Sequence, residues 1–416
     1  MKNRIRVVWV CNFSNREVRS SLNRREARIE KTIRKLLGKS SLENHDYAQW
    51  ITNGIKCFER FSEVELHIIA PQHYIKGNIQ EFEDKGIFYH FFNNEAYSLL
   101  FKTRTVLIGN DGYKYEKNRK TIKDLIAKIN PQIVHIIGAE NEDYALSAID
   151  IPHNIPVIVQ MQTLLNDPEF IKKSPIYSDY KRACEMKVLQ RADYIGTTIE
   201  HFKELVSKNI VNNPKFIRIE LALGEKPNHA QVDKRYDFVY FSVNINKAVD
   251  YAIEAFAIAQ KKYPQITLDV IGGYSAEFKK QVDKRISELG IESNVIFEGL
   301  LPTHEDVLHH ISYSRFALLP LKVDMIAGTI REAMAAGLPV VTTITPVTPK
   351  LNEQRRSVLL SEKGDFQSMA DNMIALIDSD SLCHELVSNA DITLMERYDN
   401  DSAMREWVEA YLTILK

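Results

Sequence analysis

Short apolar runs alternate along this chain with longer stretches whose apolar residues recur at helical spacing. In the first half, residues 6–11 (RVVWVC), 65–70 (ELHIIA), 87–92 (IFYHFF), 133–137 (IVHII), 157–161 (VIVQM) and 194–197 read as strands. In the second half, residues 238–242 (FVYFS), 267–271 (TLDVI), 295–297, 316–319 (FALL), 339–342 and 358–360 do the same. Most are apolar on both faces, as expected of parallel strands covered by helices on both sides. Helical spacing links Trp50, Ile51, Ile55 and Phe58. It also links Ala252, Ala255, Phe256 and Ala259, and again Met369, Met373, Leu376 and Ile377. The rhythm predicts an α/β protein built from βαβ units.

The pattern breaks near residues 223–236, where GEKPNHAQVDKRY is polar, contains Gly and Pro, and has no periodicity. We read it as a linker between two doubly wound domains, 1–228 and 229–400. A last helix at 401–416, with Trp407, Tyr411 and Leu412 on one face, needs a partner surface and is expected to pack back on the first domain. The length of 416 residues suits two such domains.

Charge changes this picture little. The 54 Lys+Arg balance 55 Asp+Glu, which argues against a nucleic-acid or general polyanion binder. Four scattered cysteines, Cys11, Cys57, Cys184 and Cys383, form no CxxC pair, so a reducing cytosol is expected. No apolar run is long enough for a membrane span. One segment stands out. Residues 15–39 hold nine basic residues against three acids, with Val18, Leu22, Ile29, Ile33 and Leu36 as an apolar stripe. A basic amphipathic helix suits an anionic membrane surface, and an ordinary solvated helix over the sheet is the alternative.

The chemistry concentrates at residues 315–342, RFALLPLKVDMIAGTIREAMAAGLPVVT. A strand ends near Leu319-Pro320 and a loop carries Asp324. Then Gly328-Thr329-Ile330 leads into a helix starting near Arg331-Glu332, which Gly337 closes. Bare N–H groups at a helix start make an anion site. Asp324 and Glu332, eight positions apart, flank it. A phosphate with two carboxylates beside it suits a sugar nucleotide.

This segment resembles the retaining GT-B glycosyltransferases, family 4 in particular, whose signature is E-x7-E followed by EAMAxGxPVV. Here it stands as D-x7-E with REAMAAGLPVV. The resemblance implies two Rossmann-like domains facing a cleft, with the acceptor on the N-terminal domain and a nucleotide-diphosphate sugar of UDP or GDP type on the C-terminal one. By position, Asp324 would meet the donor sugar and Glu332 the ribose. Lys247, in NKAVDYAIEAF, would hold the diphosphate. Gly272, Gly273 and Tyr274 correspond to the family's glycine loop, Gly299 and Leu300 to the residues bordering the base, and Ala327 to Ile330 to the helix start. PQIVHIIGAEN and EMKVLQRADYIGTT resemble N-domain segments. No metal or other cofactor is implied, since the helix start and Lys247 would stabilise the leaving diphosphate.

The chain departs from that pattern in places. FSVNIN offers no Arg ahead of Lys247. Gln162, in VIVQMQT, stands where the family has a histidine, and an amide cannot act as a base. CNFSN lacks the usual double glycine, leaving Asn12 and Ser14 to shape that wall. The expected activity is retaining, metal-independent transfer of a hexose-type unit to a glycan or lipid-linked acceptor in surface polysaccharide synthesis. Two alternatives stay open, a non-catalytic sugar-nucleotide-binding partner and a sugar-nucleotide epimerase. His304, His309 and His310 read as a solvated helix without an acidic ligand cluster. Asp378-Ser379-Asp380 reads as a helix junction.

Overall fold

The computed structural model describes residues 4–24, 46–73, 75–97, 115–173, 179–223, 227–244, 248–322 and 328–416. They fall into two compact units. The first joins the N-terminal strand and Ala48–Ala222 to Asp401–Lys416. The second is Leu223–Asn400, joined by Asp46 and Tyr47.

The first unit carries β1 (Ile5–Val10), β2 (Val64–Gln72), β3 (Ile79–Asp84), β4 (Ile87–Asn93), β5 (Ile133–Ile137), β6 (Val157–Gln160), β7 (Tyr194–Gly196) and β8 (Phe216–Ile217), in the order β3-β4-β2-β1-β5-β6-β7-β8. Neighbours are parallel except β3, which runs antiparallel to β4. The strands that sequence reading supplied are here, with ends that agree within two residues. It missed β3 and β8. β3 is largely exposed, so its apolar residues give no core pattern. It forms a hairpin with β4 through Lys85 and Gly86, both at positive φ, the backbone that tight hairpin turns require.

The order reverses at β1, which lies between β2 and β5. Loops leaving β1 and β5 therefore part at the strands' carboxyl ends, the place where such sheets bind ligands.

The helix Asn400–Ile414 completes this unit's core. Met404, Trp407, Val408 and Tyr411 are buried against β1, β2 and the helix Gln49–Phe58. Trp407 donates its indole N–H to the Glu220 carbonyl at 2.8 Å. Trp9 Nε1 donates to the Tyr411 hydroxyl at 2.9 Å, and His135 Nδ1 lies 2.7 Å from the same oxygen. Burial holds His135 neutral, its pKa lowered to about 3. Leu412 stays more exposed than its helical spacing suggested.

The second unit carries β9 (Tyr236–Asn244), β10 (Leu268–Gly273), β11 (Val295–Gly299), β12 (Ser314–Leu319), β13 (Val340–Thr343) and β14 (Leu359–Ser361). The order is β11-β10-β9-β12-β13-β14, parallel throughout. This is the dinucleotide-fold order, with its switch point between β9 and β12. Helices Val249–Lys262 and Phe366–Asp378 bury Ala252, Ala255, Phe256, Met369, Met373 and Leu376 against it. Asp378 ends one helix, Ser379 caps the next, and Asp380 opens it, so this DxD is a junction.

Candidate functional site

The switch point of the second unit is built around two strand ends. Behind β12, Leu321 donates its N–H to Thr343 Oγ1 at 2.8 Å, and that hydroxyl donates back to the Leu321 carbonyl at 2.7 Å. Thr342 Oγ1 donates to the Leu319 carbonyl at 2.7 Å. These buried hydroxyls tie the exit of β12 to β13. The next residue, Lys322, reaches Asp250 Oδ2 at 2.5 Å in the first turn of Val249–Lys262, with its ammonium 4.8 Å from the Tyr251 ring centroid. Sequence reading passed over Lys322. Its signal was a cation three residues beyond the core of β12, at the switch point itself. Lys247, Asp324 and Ala327 lie outside the described residues.

The helix Gly328–Ala335 starts three residues earlier than the sequence suggested. Gly328 and Thr329 open it. Its first backbone N–H groups have no partner within the helix and carry the positive end of its dipole. The Ile330 side chain is fully buried in the core. Ile330 therefore has only its backbone to offer a ligand. Glu332 is on the same helix, largely covered, with Oε1 3.6 Å from His304 Nε2.

That contact corrects an expectation. The helix His304–Ile311 begins with a capping box, Thr303 accepting from the Asp306 N–H and Asp306 accepting from the Thr303 N–H. The cap fixes His304 at the helix start, and Asp46 Oδ2 accepts its N–H at 3.3 Å. His304 is largely covered rather than solvated. His309 is exposed. His310 meets Asp269 at 3.0 Å, an acid on a strand, which inspection of the helix alone could not find.

Gly272 and Gly273 end β10, and Gly299 ends β11. The residues after them, Tyr274 and Leu300, are 41% and 45% exposed, unusual for large apolar side chains. Tyr274 packs edge-on against Phe297, and Lys279 Nζ lies 4.1 Å from the Phe297 ring centroid. Two apolar side chains left open at adjacent strand ends form a surface suited to a flat base. The structure thus places Gly272, Gly273, Tyr274, Gly299, Leu300, Gly328, Thr329 and Glu332 in one unit, at or just beyond strand ends and a helix start.

Gln162 belongs to the first unit, just past β6. An ideal Cβ at Gly138, where φ is +98°, would stand 3.1 Å from Gln162 Nε2 and 2.5 Å from Asn141 Nδ2. Only glycine allows this approach. The same loop carries Glu140, a second residue that sequence reading passed over. Its Oε1 accepts from Asn141 Nδ2 at 3.0 Å, while its Oε2 is sealed from solvent without a hydrogen bond. Burial, with the Glu185 carboxyl nearby, pushes the Glu140 pKa up to about 8. Glu185 is itself buried on the helix Asp179–Arg191. It accepts N–H bonds from Leu165 at 2.9 Å and Asn166 at 3.1 Å, and so fixes the loop that follows Gln162. Ser14, buried after β1, accepts from Arg19 at 2.8 Å. A neutral carboxyl, a primary amide and an open strand end suit recognition of a polyhydroxylated ligand.

Residues 225–392 match the glycosyl transferases group 1 family. An uncharacterized glycosyltransferase of Haemophilus influenzae is 26% identical over 50% of this chain and 56% of its own length. A poly(ribitol-phosphate) alpha-N-acetylglucosaminyltransferase of Staphylococcus aureus is 25% identical over 49% of this chain and 40% of its own. The chain thus spans about half or less of these relatives. Among solved structures, sucrose-phosphate synthase from Thermosynechococcus elongatus superposes with a TM-score of 0.69 at 13% identity, covering 99% of each chain.

Proposed function

On a GT-B fold whose residues 225–392 match the group 1 glycosyl transferases, we propose that this chain transfers a sugar from a nucleotide-diphosphate donor to a glycan acceptor with retention at the anomeric carbon. The observation that carries the reading is the helix start at Gly328, beside the switch point, with Glu332 one turn in and His304 against it.

In this reading the ribose hydroxyls meet the Glu332 carboxylate, and the base lies against Tyr274 and Leu300. The departing diphosphate is stabilised by the N–H groups at Gly328 and Thr329 and by two ammonium groups, Lys322 and Lys247. Asp324 meets the donor sugar. The acceptor hydroxyl attacks on the leaving-group face and passes its proton to the diphosphate oxygen, so no protein base is needed. Gln162 holds acceptor hydroxyls by hydrogen bonds, and Glu140 holds Asn141 beside it. The sequence likeness to a transferase that modifies poly(ribitol phosphate) supports a surface glycan as acceptor, and the alpha linkage in that relative's name supports retention. No helix among the described residues is long and apolar enough to cross a membrane. Residues 25–39 of the basic stripe lie outside the described residues. We propose a peripheral contact there, which sedimentation with anionic against neutral liposomes tests.

The decisive experiment combines a donor screen by thermal shift over UDP-, GDP-, ADP- and TDP-sugars with a transfer assay on the donor that stabilises. Stabilisation and transfer, both lost in Glu332→Gln, support the proposal. Binding without turnover against every acceptor tried favours a non-catalytic partner. Conversion of donor without acceptor favours an epimerase.

A further inference from the structure

Behind the two glycine turns of the second unit lies a group of side chains that sugar transfer does not use. Asp269 on β10, Glu298 on β11 and His310 on the helix His304–Ile311 each present one ligand atom, all within 4.8 Å of one another. Asp269 pairs in register with Ile296, and Glu298 stands two residues further along β11, so both acids project from one face of the sheet. The ladder steps from Phe297 to Gly299 opposite Val270 and Ile271, which leaves Glu298 as the bulged residue, free of strand pairing.

Two details point to a ligand. Asp269 has no exposed surface, and its Oδ1 has no hydrogen-bond partner. Its other oxygen lies 3.0 Å from His310 Nε2. A buried carboxylate in a parallel sheet with one oxygen unpartnered is costly, and a bound cation removes that cost. The groups nearby are also arranged as metal ligands commonly are. Tyr236 stacks on the His310 imidazole at 5.9 Å with a 17° interplanar angle, and its hydroxyl donates to Glu298 Oε1 at 3.4 Å. Neighbours that fix ring and carboxylate orientation are the usual company of a metal site.

We propose that Asp269, Glu298 and His310 bind one divalent first-row transition ion, with zinc as the type case. Two carboxylates and a neutral imidazole balance a doubly charged ion. Two ligand atoms at about 2.0–2.1 Å from zinc in tetrahedral geometry stand roughly 3.3 Å apart, close to the observed 3.0 Å between Nε2 and Oδ2. Glu298 is exposed, so the fourth position opens to water. The ion is structural. It pins the helix whose first residue is His304, the neighbour of Glu332, to the strands that end in Gly273 and Gly299.

The test is titration of the chelator-treated full chain with Co²⁺, read by its visible ligand-field absorption, and with Zn²⁺, read by thermal midpoint. Glu298→Gln, at the exposed rim, and His310→Gln accompany the wild type, with far-ultraviolet circular dichroism to verify folding. We expect one equivalent of Co²⁺ in the wild type, binding weakened at least ten-fold in each folded variant, and a zinc-induced rise in midpoint that both variants lose. Failure of the wild type to bind either ion overturns the proposal and leaves an Asp269–His310 hydrogen bond. Equal binding by wild type and both variants also overturns it, because the ion then sits elsewhere.

Discussion

His304 Nε2 stands 3.6 Å from Glu332 Oε1, the first residue of one helix brought against the second turn of another. Glu332 is expected to bind the donor's ribose. Glu332→Gln should therefore weaken nucleotide affinity about ten-fold or more, the scale of one charge-assisted hydrogen bond. His304→Ala, which removes only a neighbour, should cost less. Calorimetric titration of nucleotide into the two variants ranks them, and the reverse order would show that His304 is the direct contact.

Lys322 separates stability from function. Its pair with Asp250 is partly exposed, with 33% and 46% of the two side chains accessible, so it contributes about 1 kcal/mol or less to folding. Lys322→Met should leave the urea midpoint nearly unchanged. Donor KM should rise several-fold if the ammonium turns from Asp250 to the diphosphate. Unchanged KM would assign Lys322 to the pair alone.

Glu140 makes a prediction in pH. Its pKa is raised from 4.5 to about 8 in the folded chain, so folding favours the protonated form. The stability this brings is complete below about pH 4.5 and is lost as pH climbs toward 8. Glu140→Gln cannot ionise, so its unfolding free energy should fall less across that window. Chemical denaturation at several pH values measures the difference. Parallel curves for variant and wild type would contradict the assignment. Asp143 and Glu185, each raised to about 7, keep some slope in the variant.

The Tyr411 hydroxyl takes the Trp9 indole N–H at 2.9 Å and lies 2.7 Å from His135. Tyr411→Phe leaves both buried groups short of a partner and should cost about 1–3 kcal/mol. Trp407→Ala adds a cavity in the same core and should cost about 3–5 kcal/mol. Denaturant unfolding of both variants gives the comparison, and a smaller loss for Trp407→Ala would mean that the core closes over the gap.

Much of this was legible in the chain. Buried parallel strands are apolar throughout, so IVHII and FALL announced themselves, and REAMAAGLPVV marked the helix start. β3 was not legible because an edge strand that faces water needs no apolar pattern. Glu140 and Asp269 were not legible for a related reason. A single acid within an apolar or loop segment looks incidental until neighbouring strands show what it faces. Ile330 belongs to the helix-start segment by sequence, and its side chain points into the core, which leaves only its backbone for a ligand.

The return of Asn400–Ile414 to the first unit also bears on the order in which this protein is made. The second unit is nearly contiguous in sequence, so most of it leaves the ribosome while the first still lacks its closing helix. Trp9 waits for Tyr411, some four hundred positions later. Between those moments the apolar floor of β1 and β2 stays uncovered, an exposure that invites chaperone binding or aggregation. The second unit thus has all its strands before the first receives its closing helix.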